Sequence, residues 1–203
     1  MAVPTTVPRL TESEYLALER AAPFRSEYFD GEMFAMAGGS PMHSLIAANL
    51  IGEFRNKLKG GPCKAYTGDL RLKVEATGLL TYPDVSVVCG PLQFASGTDD
   101  TVVNPALLIE VLSDSTEAYD RGEKFQHYRQ MPSLNEYLLV SQRLPRIEQY
   151  GRRPNAEWAL RVAEGKDAKL TLPALEITLE LNEVFAGVDF APAPIRARVR
   201  PPV

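Results

Sequence analysis

The sequence predicts an α/β chain of the α+β type: a mixed β-sheet flanked by helices, with antiparallel hairpins at both ends. Three observations carry this. Capped stretches with helical periodicity stand near the N-terminus and after residue 116. Short β-rich runs gather between and after them. An Asp-Gly pair, Asp30-Gly31, separates two such runs, which is a strong hairpin signal.

The elements follow in order. Thr11-Glu12-Ser13-Glu14 is a capping box and starts a helix over about residues 12–21. Residues 25–29 and 32–37 flank Asp30-Gly31 as the arms of the first hairpin. Ser40-Pro41 is a cap followed by proline at the first helical position. Leu45, Ile46, Leu50, Phe54 and Leu58 then recur at helical spacing until Gly60-Gly61 stops the helix. Strand-like runs occupy residues 63–66, 70–75, 84–89 and 107–112. A helix is predicted over 117–130, with Pro132 just beyond it. Strands are predicted at 136–140, 146–151, 158–162 and 170–181.

A chain of 203 residues can bury one sizeable core. Residues 1–10 read as a loose arm, 11–190 as a single domain, and 191–203 as a Pro/Arg-rich tail. No stretch approaches the roughly 20 apolar residues of a membrane span, and MAVPTTVPRL has no signal-peptide core. A cytoplasmic protein is the simplest expectation. Cys63 and Cys89 stand alone in strand-like runs, so a zinc site or disulfide framework is not expected, and both read as buried small hydrophobes. The net charge of −4 does not announce a nucleic-acid binder, although a local basic patch would suffice for one.

Glu110 is the oddest residue. It interrupts Leu107-Leu108-Ile109-Glu110-Val111-Leu112, a run that otherwise suits a strand covered on both faces. A carboxylate there costs several kcal/mol unless paired, protonated or bound to a cation. Tyr82-Pro83-Asp84 opens the preceding strand and places Asp84 at the sheet rim. Alone, Asp84 reads equally as a turn-former and Glu110 as a strand-end residue reaching solvent. Together they could converge on one hard cation, and Mg²⁺ is typically held by one or two carboxylates plus water and phosphate oxygens.

Pro83-Asp84 followed by Glu110-Val111-Leu112 resembles the PD-(D/E)XK nuclease signature. The wider set resembles the Uma-two-type family of restriction endonucleases within that superfamily. It comprises residues 27–32, 43–46, 68–72, 82–88, 109–116 and 120–124 with Tyr128. These stretches run in order through most of the chain. The resemblance implies a restriction-endonuclease-like fold, DNA as substrate, and Mg²⁺ or Mn²⁺ held by Asp84, Glu110 and the main-chain carbonyl of Val111. It also implies that Glu27 joins the metal shell.

One departure matters. Leu112 stands where the superfamily motif has lysine, and leucine can neither polarise a phosphate nor assist the attacking water. The resemblance offers Lys124 as the replacement. On a regular helix Asp120, Lys124 and Tyr128 share one face, which would have to pack across the mouth of the sheet. Lys124 paired with Asp120 in solvent is the plainer alternative. His43, in the first turn of its helix, is a candidate phosphate contact. Asp69, Arg71 and Tyr128 are further candidate substrate contacts.

Other chemistries find no support: the sequence shows no G-x-S-x-G elbow, P-loop or dinucleotide fingerprint. The rival to a nuclease is a non-catalytic protein that keeps the fold and binds nucleic acid or a protein partner. A homodimer would suit a double-strand cutter, though no coiled-coil pattern points to one.

Overall fold

A computed structural model describes residues 9–36 and 38–190. Most of the expected arm and the whole expected tail therefore lie outside the described residues. Arg9 and Leu10 do not behave as a loose arm: the Leu10 amide donates to the Gly31 carbonyl (2.9 Å) and Tyr28 Oη donates to the Leu10 carbonyl (2.8 Å).

Helix α1 (Glu12–Ala21) begins on the expected box, with the Thr11 side chain and Glu14 capping each other's backbone amides. Strands β1 (Ser26–Phe29) and β2 (Glu32–Ala35) form the expected hairpin. Asp30 and Gly31 both have positive φ (48° and 84°), as a two-residue turn matched to strand twist requires. Helix α2 (Pro41–Lys57) starts on Ser40, whose hydroxyl accepts from the His43 amide. Its inward stripe is Ile46, Leu50 and Phe54.

The strands fall into two larger sheets and a hairpin, where the sequence suggested one sheet. The first sheet has order β2-β1-β5-β4-β7, with β4 (Arg71–Val74), β5 (Leu79–Thr81) and β7 (Thr101–Val102). The second has order β11-β10-β9-β8-β6-β3. It contains β3 (Cys63–Thr67), β6 (Val85–Cys89), β8 (Leu107–Val111), β9 (Glu136–Val140), β10 (Arg146–Arg152) and β11 (Trp158–Glu164). Strands β5 and β7 are too short to show in a pattern of apolar residues. The predicted strand over 170–181 is a hairpin, β12 (Lys169–Leu172) and β13 (Ile177–Glu180), followed by the short helix α5 (Leu181–Val184).

The central strands of the six-stranded sheet are covered on both faces, which explains the nearly continuous burial of β6, β8 and β9. On one face Val85, Val87, Leu107, Ile109 and Leu138 pack with the α2 stripe and the β12–β13 hairpin. On the other, Val88, Leu108, Leu112 and Leu139 pack with Phe125, Tyr128 and the β4–β5 residues Leu72, Val74 and Leu79. The second face is therefore where the two sheets meet.

The predicted helix over 117–130 is broken. It runs as α3 (Glu117–Tyr119), a wide π turn (Asp120–Lys124) and α4 (Phe125–Tyr128). A π turn inserts an extra residue into the helical repeat, and such turns gather at functional sites.

The cysteine expectation is corrected. Cys63 and Cys89 are paired across β3 and β6 and form a disulfide. They are 26 residues apart in sequence, and only the strand register shows them to be neighbours.

Leu50 is fully buried between α2 and the sheet. Leu50→Ala is expected to cost about 2–5 kcal/mol. It should appear as a lower urea midpoint with an unchanged slope.

Candidate active site

The register of β6 against β8 builds the centre. Val85 pairs with Ile109, and one step further along the ladder Asp84 stands opposite Glu110 on the same face. The Asp84 carboxylate accepts from the Val111 amide (2.7 Å), and the Asp84 amide lies 3.5 Å from Glu110 Oε2. In an extended strand a residue's N–H and C=O point to the same side. The Val111 carbonyl thus lies on the side of Asp84.

Glu110 is almost fully buried. Its Oε1 accepts from Tyr128 Oη (2.8 Å) and lies 2.9 Å from Lys124 Nζ. Its Oε2 has only the long contact to Asp84. Lys124 Nζ also lies 2.9 Å from Glu27 Oε1 and 3.6 Å from Asp120 Oδ1, with 6% of its side chain exposed. The other partner of Glu27 is Thr81 Oγ1, which donates to it from β5. Carboxylates from both sheets and from the helical segment therefore converge on one ammonium. The solvated Lys124–Asp120 pair is not what forms.

His43 Nε2 lies 3.1 Å from Asp84 Oδ2. The helix start thus delivers the imidazole to a carboxylate, and Asp84 raises its pKa against the opposing effect of burial.

Four carboxylates, Glu27, Asp84, Glu110 and Asp120, share this centre with one ammonium and one imidazole. The excess negative charge is costly in a buried site. Burial pushes the Glu110 pKa up to about 8, with Asp120 and Asp84 adding to it and Lys124 opposing. Burial likewise raises Asp120. Burial works to lower Lys124, but Glu110, Glu27 and Asp120 outweigh it and raise its pKa well above the usual value, so it remains an ammonium.

The centre opens into a cleft of about 2350 Å³ lined by Glu27, Asp84, Glu110, Val111, Asp120 and Lys124. His43 and Asp69 also border it. Asp69 is exposed there and paired with Arg25. Two candidate contacts lie elsewhere. Arg71 is buried, bonded to Thr101, Tyr82 and Asp100. Tyr128 is fully buried and acts on the site through Glu110.

The oxygen donors suit a hard divalent cation. Asp84 is adjacent to the free side of Glu110, and the Val111 carbonyl lies on the same side. Among the described residues no group of three or more His, Cys, Asp or Glu side chains is already arranged around an ion position. Two carboxylates with a carbonyl are nonetheless enough for Mg²⁺, which keeps several waters.

The sequence profile of the Uma2 family, described as "Putative restriction endonuclease", matches residues 12–183. The chain belongs to the Uma2 family. Two proteins of the cyanobacterium Synechocystis sp. are similar to it. "Uncharacterized protein slr1290" is 38% identical over 183 residues, spanning 90% of this chain and 95% of that protein. "Uncharacterized protein sll1609" is 33% identical over 177 residues, spanning 87% and 100%. A crystal structure of "a putative nuclease belonging to DUF820" from Anabaena variabilis shares the fold, with a TM-score of 0.70. That match covers 85% of this chain and 96% of the other at 19% identity.

Reading the Uma2 sequence for chemistry missed two participants. Asp120 was legible only as a partner for Lys124, whereas the structure buries it in the π turn and brings its charge to bear on Glu110. Thr81 gave no signal, because β5 is three residues long.

The raised Glu110 pKa has a sign. The folded state holds a proton on Glu110 between about pH 4.5 and 8 that the unfolded state releases. That stabilisation is complete below 4.5 and is lost as pH rises through 8. In the metal-free protein, denaturation midpoints from pH 5 to 9 should fall more steeply for the parent than for Glu110→Gln. Parallel curves would show that Glu110 titrates normally.

Proposed function

We propose that the protein is a divalent-metal-dependent endonuclease that hydrolyses phosphodiester bonds in DNA. The observation that carries this reading is the position of Lys124. Its ammonium lies 2.9 Å from Glu110, while the third position of the sequence motif is Leu112, which carries no charge. The helical segment thus supplies the cation that the strand lacks.

Asp84, Glu110 and the Val111 carbonyl would hold Mg²⁺ or Mn²⁺. Bound there, the ion would supply Lewis acidity at the phosphate and make nearby water more acidic. The chain's own residues do the rest. Lys124 stays protonated, so its role is to offset charge developing on the phosphate. Tyr128 fixes one oxygen of Glu110 and leaves the other for the cation. Glu27 and Asp120 hold the ammonium in place. His43 orients Asp84 from the start of α2.

Among the described residues no helix is long and apolar enough to cross a membrane. The reading places the enzyme in the cytoplasm, where the Cys63–Cys89 bridge would be open to reduction.

Asp84→Ala and Glu110→Ala should each lower Mn²⁺-dependent DNA cleavage by about a hundredfold or more, with unchanged circular dichroism. If either variant cuts as well as the parent, the site is misassigned. Calorimetric titration of the parent with Mn²⁺ should show one site that Asp84→Asn removes. Because Glu110 must give up its proton, binding should strengthen from pH 6 to 8. No heat at millimolar Mn²⁺ would point instead to a non-catalytic protein with this fold.

A further inference from the structure

The register of the β1–β2 hairpin places Phe34 directly opposite Glu27. Cross-strand partners project from the same face, with Cβ atoms about 5 Å apart. Glu27 faces Lys124, so Phe34 stands at the lip of the cleft beside the acidic centre. Strand β2 is the outer strand of its sheet, and 49% of Phe34 is exposed. Phe24, at the entry to the same hairpin, also borders the cleft and is 58% exposed. Four of the eight exposed large hydrophobic side chains among the described residues border this one cleft: Phe24, Phe34, Leu45 and Leu144. Gathering apolar side chains around a polar centre marks a surface that receives apolar parts of a ligand.

The charges along the cleft argue against a duplex. Binding a duplex rests on lysines and arginines that neutralise many phosphates. Here each bordering arginine among the described residues already has a carboxylate. Arg25 pairs with Asp69, Arg143 with Asp114, Arg121 with Glu117 and Glu148, and Arg146 with Glu148 and Glu164. The one bordering lysine, Lys124, is held in the centre. Few cations remain for a double phosphate backbone, while the exposed rings offer base-sized flat faces. Intact duplex hides its base faces, whereas a single strand presents them.

We propose that the cleft takes nucleic acid with unpaired bases, and that Phe34, supported by Phe24, is the surface on which a base beside the scissile phosphate stacks. The proposal rests on the nuclease reading and adds its substrate class. A single-stranded substrate needs one active centre, so no dimer is required.

Two measurements test it separately from that reading. The first is binding in EDTA, where hydrolysis does not run, followed by fluorescence anisotropy. A labelled single-stranded DNA 20-mer should bind about tenfold or more tightly than the same 20-mer annealed to its complement. Phe34→Ala should weaken single-strand binding roughly tenfold, Phe34→Trp should restore it, and duplex binding should not change. Equal or tighter duplex binding, no binding of either DNA, or an indifferent Phe34→Ala would overturn the proposal. The second is cleavage of both DNAs in Mn²⁺. The single strand should be cut faster, and Phe34→Ala should raise KM with little change in kcat and unchanged Mn²⁺ affinity. Faster duplex cleavage would overturn the stacking proposal. A parent that binds the single strand by way of Phe34 but cuts neither DNA would overturn the nuclease reading alone.

Discussion

The arrangement turns on the buried ammonium of Lys124. It lies between Glu27 of one sheet and Glu110 of the other, with Asp120 of its own helical segment beside it. A charge this deeply placed is tolerable only when its partners are fixed around it. Each partner comes from a different part of the fold, so the ion cluster also joins the two sheets at the mouth of the cleft. Removing any one carboxylate shifts the balance for the others.

That balance is negative. Glu110 holds one oxygen in a bond from Tyr128 and turns the other toward Asp84. The excess charge can be relieved by a proton on Glu110, which burial favours up to about pH 8, or by a cation between the two carboxylates. The same burial that makes the site costly without a cation makes it receptive to one.

Some of this was legible in the sequence because it depends on local rules. The Thr11 capping box, the Ser40 cap, the Asp30-Gly31 turn and the Ile46, Leu50 and Phe54 part of the α2 stripe follow from backbone geometry within a few residues, and the structure keeps them, while Leu45 turns out to be exposed. Glu110 stood out because a carboxylate inside an apolar strand is an anomaly at the level of single residues. The motif order from Glu27 to Tyr128 supplied the rest of the family likeness. The division of the strands into two sheets was not legible: β5 and β7, which complete the five-stranded sheet, are three and two residues long, below the length at which alternation can be recognised. The Cys63–Cys89 pairing was misread for a related reason, since register between strands is a long-range property.

The sequence by itself determined the fold class, the helix starts, the first hairpin and the acidic pair Asp84 and Glu110, because periodicity, turn chemistry and an out-of-place charge are written locally. Only the tertiary structure decided that Lys124 is buried against Glu110 and Glu27, that Asp120 joins it, and that Arg71 and Tyr128 stay inside. Those outcomes depend on how a helical segment broken by a π turn packs where two sheets meet face to face. No spacing in the chain encodes either, because both arise when distant segments compete to bury the same surface.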